Sequence, residues 1–441
     1  MLLMFLRIIM SLSLTSYYKR IKVKNKKVLE ANVPMVMAFN HPNAFMDPVV
    51  FSLVAYPPKY HYLARGDVFK KAIARYALES IGLVPIYRIQ DGGKEGLEKN
   101  NETYRRVYQF LAWKRKIIVF AEGLCIQERR LRPIKKGVPR MLFGAMDLIQ
   151  NQDFLVVPVG VNYSDPDKVG SSLFYNIGEP IRVADYYEEY KEHPSRAYNK
   201  FLKVLEPRLK DLITHIENPE NDKLLPQLEQ IFMRDWIKKH KLTLHDPEHE
   251  YIITKKLTEL VNKADKEEKE ALAGLKEKCA DYLHKLKIMG VRDWVINPKN
   301  NWQINWLMFL FRMPIMIAAL PLIVIGMAGN YLPYKISESI VKKKIRNREF
   351  YSSFNLGIGT FLTLFYYILL FIITGILTEG MGWPWLAIFI AYVTGKFTLN
   401  FYPFILKTKG IFNAITHTTG LKNLRDDRKK LSEMLDFLNK I

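Results

Sequence analysis

The sequence predicts an α/β fold, a mostly parallel sheet covered by helices, followed by a helical accessory region and by C-terminal membrane helices. Three observations carry that prediction. Between Pro34 and about Ile181, short β-rich runs alternate with helix-length segments, the order that builds a parallel sheet with helices on its faces. Residues 186–300 are rich in Lys, Glu and Leu and have few β-rich runs. After about residue 302, Met313–Tyr334 and Tyr351–Thr378 are charge-free runs of 22 and 28 residues, each long enough for a helix to cross hydrocarbon.

The first sixteen residues, MLLMFLRIIMSLSLTS, are apolar but too short to span, and they lack the basic start and small-residue end of a secretory signal. They read as an interfacial anchor. Six of the ten residues Tyr18–Lys27 are Lys or Arg, a stretch drawn to anionic headgroups, so residues 1–27 are taken together as the anchor and its basic segment. In the α/β domain, 28–185, strands are expected at Met35–Phe39, Tyr60–Ala64, Leu83–Tyr87, Ile117–Phe120, Phe154–Val161 and Leu173–Ile177, with helices over Val68–Ser80 and Leu97–Trp113. In residues 186–300 the apolar positions Leu272, Leu275, Cys279, Tyr282, Leu283 and Leu286 predict a helical pair over Glu250–Ala264 and Lys266–Met289.

Residues 301–408 are expected to hold the membrane helices. Lys335, Lys342, Lys343, Lys344, Arg346 and Arg348 crowd one connector, whereas Thr378–Trp383 carries only Glu379, which makes the first cytoplasmic and the second external. Asn355–Thr378 and Met381–Leu406 then form an out-and-back pair. If the α/β domain is cytoplasmic too, Trp302–Tyr334 must return to its own side as a re-entrant hairpin bent by Pro314, Pro321 and Gly326; a single tilted span is the other arrangement. Residues 409–441 are expected as a cytoplasmic tail.

The 441 residues carry 66 Lys and Arg against 44 Asp and Glu, a formal charge of +22 that attracts polyanions of any kind. The membrane-length runs and the lack of a basic-aromatic reading motif turn this charge toward lipid and away from nucleic acid. A non-enzymatic basic membrane scaffold would also use it. Two cysteines, Cys125 and Cys279, are too few for a disulfide framework and have no zinc spacing, so the chemistry-bearing part reads as cytoplasmic.

The sharpest chemical signal is Phe39-Asn40-His41-Pro42-Asn43-Ala44-Phe45-Met46-Asp47-Pro48, directly after the run Met35–Phe39. A histidine leaves a strand end and a carboxylate follows six residues later. Imidazole can take a proton from an alcohol, and a carboxylate on its other nitrogen fixes the tautomer and stabilises the imidazolium. This is dyad logic without a nucleophilic serine. Asp47 before Pro48 also suits a helix N-cap. On an ideal helix, residues six apart diverge by about 240°, so the Pro42-Asn43 turn is needed to bring His41 and Asp47 together.

Three further blocks follow in order, and with the first they resemble the glycerolipid acyltransferases of the lysophosphatidate and glycerol-phosphate type. Gly82-Leu83-Val84-Pro85-Ile86-Tyr87-Arg88 is similar to their second block, Phe120-Ala121-Glu122-Gly123 to the third and Val157-Pro158-Val159-Gly160-Val161 to the fourth, over about residues 35–182. Two departures stand out. Five residues, not four, separate His41 from Asp47, a spacing associated with a branch that includes fungal glycerol-3-phosphate and dihydroxyacetone-phosphate acyltransferases. Ala121 replaces a proline, and Leu124-Cys125 replace a polar pair, so nothing after Gly123 is carried over.

The resemblance implies His41 as general base with Asp47, and Asn40, Arg88, Glu122 and Gly123 as substrate-binding positions. Arg88 can grip phosphate oxygens bidentately, and Lys135 and Lys136 add positive charge or simply form a solvated basic loop. The implied reaction passes an acyl group from acyl-CoA or acyl carrier protein to glycerol phosphate or a lyso-lipid, with no metal and no cofactor. Other constellations are weaker. His245-Asp246-Pro247-Glu248-His249-Glu250 sits in a polar, proline-containing turn and reads as a solvated loop rather than a metal site, and Cys125 has no dedicated base and reads as a space-filler.

Overall fold

The computed structural model describes residues 2–55, 60–87, 89–149, 153–296, 302–380 and 382–440. It divides into two compact units, one built on residues 20–167 and 171–215 with the first eleven, the other on residues 216–441 with the segments Leu12–Lys19 and Lys168–Gly170.

In chain order, helix α1 (Leu2–Tyr17) leads into strand β1 (Tyr18–Lys24), then β2 (Met35–Phe39), α2 (Met46–Val54), β3 (Tyr60–Arg65), α3 (Ala72–Ser80), β4 (Leu83–Ile86), α4 (Ile89–Ala112) and β5 (Lys116–Phe120). There follow α5 (Gly137–Ile149), β6 (Leu155–Tyr163), β7 (Ser171–Ile177), β8 (Ile181–Arg182), α6 (Tyr187–Glu192) and α7 (Pro194–Asp211). The sheet order is β1-β7-β6-β2-β5-β3-β4, with β8 beside β6. β2 lies parallel to β5 and β6, and β3 parallel to β4 and β5, while β7 and β8 run antiparallel to β6. This is the expected mostly parallel sheet.

Strand β2 is buried along its whole length, which is why Met35–Phe39 is a continuous apolar run and not an alternation. On one face Val36, Ala38, Ile117 and Val119 meet Val107 and Leu111 of α4, Met141 and Leu142 of α5, and Phe201 and Leu205 of α7. Helices α6 and α7 therefore belong to the α/β unit, and the boundary falls near residue 215, not 186. The basic stretch assigned to the anchor is largely the edge strand β1. Ile21 and Val23 alternate there with Arg20, Lys22 and Lys24, and lysines on an edge strand discourage pairing with further chains.

The second unit contains α8 (Leu224–Lys239), α9 (Pro247–Glu267), α10 (Lys269–Met289), α11 (Trp302–Lys344), α12 (Tyr351–Leu377), α13 (Gly382–Thr416) and α14 (Thr418–Lys440). Leu228, Phe232, Leu257, Val261, Leu275 and Tyr282 pack with Leu424, Leu431 and Leu435. Residues 418–440 are thus a packed helix and not a free tail, because their apolar residues fall on one helical stripe. Asp246 accepts from the Glu248 and His249 amides as the N-cap of α9, a structural use for the His245–Glu250 segment.

Two helical stretches, Gln303–Lys344 and Arg348–Leu377, are long and apolar enough to cross a membrane, each holding an 18-residue segment of mean hydropathy 2.3. The hairpin expected over Trp302–Tyr334 is replaced by one uninterrupted helix that carries Pro314, Pro321 and Pro333. Prolines are tolerated inside membrane-length helices where packed neighbours surround the backbone. Small residues allow the approach: Gly329 lies against Ala391, and Gly395 against Asn330, whose Nδ2 donates to the Ala391 carbonyl at 2.8 Å.

Candidate active site

Parallel pairing sets the carboxyl ends of β2 and β5 level, since Phe39 is in register with Phe120, while β6, in register at Val159, runs on past them to Tyr163. The loops leaving these ends converge, as open α/β sheets dictate for their sites. Two contacts continue the register beyond β2. The Ala121 amide donates to the Phe39 carbonyl at 2.9 Å. Asn40 bridges to β6, its Oδ1 accepting from the Val161 amide at 2.7 Å and its Nδ2 donating to the Val161 carbonyl at 3.1 Å. Asn40 is therefore spent on main chain and fixes where His41 emerges.

His41 Nδ1 stands 2.8 Å from Asp47 Oδ2. The chain closes the six-residue gap through a turn: Asp47 donates its amide to the Asn43 carbonyl at 3.0 Å, and the Asn43 amide donates to Oδ2 at 3.0 Å. Helix α2 begins two residues earlier than the sequence suggested, with Phe45 at the N-cap, so Asp47 lies in the first turn and not at the cap. There its carboxylate also benefits from the helix dipole. Tyr163 OH donates to Oδ1 at 2.6 Å, and Tyr175 OH to the Asp47 carbonyl at 3.1 Å. Asp47 is fully buried, and that burial pushes its carboxyl above its ordinary value, opposed by His41, Tyr163 and the Asn43 amide.

A carboxylate accepting at Nδ1 leaves the lone pair of the neutral imidazole on Nε2. The ring is held from a third direction by Phe120, stacked at 3.7 Å with an 18° tilt. Its side chain is 16% exposed, so one edge remains reachable by substrate.

Glu122 grips the backbone. Its Oε1 accepts from the His41 amide at 3.1 Å and its Oε2 from the Arg132 amide at 3.0 Å, which ties the loop after β5 to the loop after β2. Burial pushes this carboxyl up as well, against the pull of the two amides, His41 and Arg132. Gly123 follows with φ +66°, in the left-handed region that glycine occupies without strain. Cys125 Sγ lies 3.0 Å from the Ala44 amide, and the Ile126 amide donates to the His41 carbonyl at 3.2 Å, so the divergent part of the third block packs around the histidine turn.

Of the residues proposed from sequence, His41, Asp47, Asn40, Glu122 and Gly123 converge. Lys135 borders them, its amide donating to the Ala121 carbonyl at 3.1 Å and its side chain lying beside Gly123. Lys136 is exposed just before α5. Arg88 lies outside the described residues. The fourth block is explained by packing: a Cβ on Gly160 would overlap the Leu212 carbonyl at the end of α7. Sequence reasoning missed Tyr163, Tyr175 and Phe120. Phe120 and Tyr163 end the strands on either side of β2, a signal that appears only once the strand order is known.

Residues 20–162 match the family model described as Acyltransferase. Over 128 residues the chain is 34% identical to glycerol-3-phosphate O-acyltransferase 2 of Saccharomyces cerevisiae, covering 29% of this chain and 17% of that protein. Over 144 residues it is 26% identical to glycerol-3-phosphate O-acyltransferase 1 of the same organism, covering 32% and 19%. The matched stretch thus spans less than a fifth of either relative. A solved structure, the 1-acyl-sn-glycerophosphate (LPA) acyltransferase PlsC from Thermotoga maritima, aligns with 14% identity and a TM-score of 0.31 over 46% of this chain and 80% of that one. Residues 20–162 are therefore similar to the acyltransferase family, and the two relatives they resemble are glycerol-3-phosphate O-acyltransferases.

Proposed function

We propose that the protein is a membrane-bound O-acyltransferase that moves a fatty acyl group from acyl-CoA or acyl carrier protein to a hydroxyl of glycerol 3-phosphate or 1-acylglycerol 3-phosphate. The observation that carries this reading is the 2.8 Å contact between His41 and Asp47 at a level strand end, with Nε2 free to act as base. His41 takes the acceptor hydroxyl proton, the alkoxide attacks the thioester carbonyl, and the tetrahedral species collapses with loss of the thiolate, which recovers the proton from His41. Asp47 holds the tautomer and stabilises the imidazolium. Backbone N–H groups would stabilise the oxyanion. The step needs no metal or cofactor.

Arg88, Lys135 and Lys136 are the cations we assign to the acceptor phosphate. The five-residue spacing and the names of the two yeast relatives favour glycerol 3-phosphate, the first acylation. Helices α11 and α12, mostly exposed and apolar, suit contact with lipid and bring the enzyme to its fatty substrate. We place the α/β unit on the cytoplasmic face.

Purified, detergent-solubilised protein, offered labelled acyl-CoA or acyl carrier protein with either acceptor, tests the reading. Turnover of glycerol 3-phosphate assigns the first acylation, and turnover of lysophosphatidate alone assigns the second. Leu124-Cys125 in place of the polar pair favours a second reading, acylation of another lyso-lipid such as an aminoacyl-lipid or lysophospholipid. Activity on neither phosphate acceptor, with His41-dependent turnover in an acceptor screen, would select it. Membrane association without any His41-dependent turnover would leave only a basic scaffold.

A further inference from the structure

Five cations of the second unit gather where α13 meets the segment after α10. Arg312 of α11 is clamped to α13: its Nε donates to Thr408 Oγ1 at 2.9 Å, its Nη2 to the Phe404 carbonyl at 3.2 Å, and its guanidinium lies 3.7 Å from the Phe404 ring centre. Lys407, between those two residues, is half-buried and within electrostatic reach of Arg312, Arg234, Arg292 and Lys19. The segment bearing Arg292 touches the same helix, since Asn413 Nδ2 donates to the Gly290 carbonyl at 3.1 Å.

The carboxylates nearest in sequence are committed elsewhere. Asp235, next to Arg234, and Asp293, next to Arg292, both accept from Arg428 of α14, and Asp293 also accepts from Tyr282 OH at 2.7 Å. Arg428 is itself tied to α8 through the Ile231 carbonyl at 3.0 Å. Among the described residues, no carboxylate pairs with Lys19, Arg234, Arg292 or Lys407. Like charges gathered without counter-ions repel one another, and a bound anion relieves that repulsion.

We propose that Lys19, Arg234, Arg292, Arg312 and Lys407 form a binding site for the phosphate of an anionic phospholipid headgroup. The lipid source follows from the surroundings. Arg312 immediately precedes the charge-free run Met313–Tyr334, and Leu307, Leu310 and Phe311 are exposed on the same helix. A phosphate held by the cations therefore leaves its acyl chains beside apolar surface, the arrangement of basic residues at a membrane boundary.

The test uses the full chain in neutral detergent micelles, titrated with fluorescent short-chain phosphatidylglycerol, a lipid that the proposed acyl transfer neither makes nor consumes. Saturable binding is expected. Lys19 and Arg292 are exposed, so the double substitution Lys19→Gln with Arg292→Gln spares the packing and should weaken binding about tenfold. Lys19→Arg with Arg292→Lys should retain it, as should His41→Ala. Inorganic phosphate should compete only at much higher concentration. Unchanged affinity in the Gln double variant, with Lys407→Gln also without effect, would overturn the proposal. So would competition by inorganic phosphate at concentrations matching the lipid, which would make this a soluble-anion site.

Discussion

Tyr163 and Asp47, 116 residues apart in sequence, are joined by a hydrogen bond of 2.6 Å from the phenol to Oδ1. The other oxygen, Oδ2, faces His41 Nδ1 and the Asn43 amide. The carboxylate is thus aimed from three sides, so the imidazole it steers has little freedom to rotate. Such pre-organisation is what lets a side chain act as a base without reorganising during the reaction.

Removing the phenol tests that steering. Tyr163→Phe takes away a hydrogen bond to a buried charged group, the kind that contributes about 1.5–3 kcal/mol. We expect kcat to fall about ten- to a hundredfold with KM for the acceptor nearly unchanged, read from steady-state acyl transfer.

Asp47→Asn should be more damaging to turnover while keeping the shape of the turn. The amide NH2 would donate to Nδ1, placing the ring proton on Nε2, where the base is needed. A loss of about 10³- to 10⁴-fold in kcat is expected from such a tautomer change. Activity within tenfold of the native protein would mean that His41 is not the base.

The same substitution also changes how stability depends on pH. Burial raises the Asp47 carboxyl in the folded chain, so between the unfolded value of about 3.9 and the higher folded one the native state binds more protons than the unfolded state. Its contribution to stability therefore falls as pH rises through that window. Melting curves in detergent should show the difference, Asp47→Asn minus native, becoming more positive from pH 4 to pH 7. A constant difference would contradict this linkage.

Glu122→Gln supplies one acceptor where two amides need one each, and turns an NH2 toward the second. An unsatisfied buried donor costs about 1–3 kcal/mol. We expect a lower melting temperature and a reduced kcat, because the amide of His41 or Arg132 loses its partner.

Gly160→Ala should fail at the level of folding rather than catalysis. The added methyl would meet the Leu212 carbonyl, which is backbone and has no way to swing aside. Loss of soluble, monodisperse protein is expected, and a folded variant with lowered activity alone would instead make this position part of the site.

How much of this was legible in the sequence depends on the range of the interaction. Strands β2 to β7 were readable because each is a short β-rich run, and His41 with Asp47 because both lie in one local segment. Tyr163 was not, since its role depends on β6 lying beside β2. Strand β1 was hidden by its own lysines: charge dominated the reading of Tyr18–Lys24, although Ile21 and Val23 alternate as an edge strand requires. The break expected in α11 followed from the charge of the connectors, with Pro314, Pro321 and Gly326 as its bend, whereas the packing that accompanies the unbroken helix, such as Asn330 reaching Ala391, involves another element. Arg428 likewise gave no local sign that it would satisfy two aspartates from distant helices.

Helix α14 has a consequence for how the chain is made. Its leucines complete the core begun by α8, α9 and α10, yet both membrane-length helices are synthesised between them. During vectorial synthesis, residues 216–296 leave the ribosome with that apolar groove still open. The groove closes only after α11, α12 and α13 have also emerged. Synthesis of the apolar helices thus precedes the sealing of this core, and the groove stays open to other apolar surfaces in the interval.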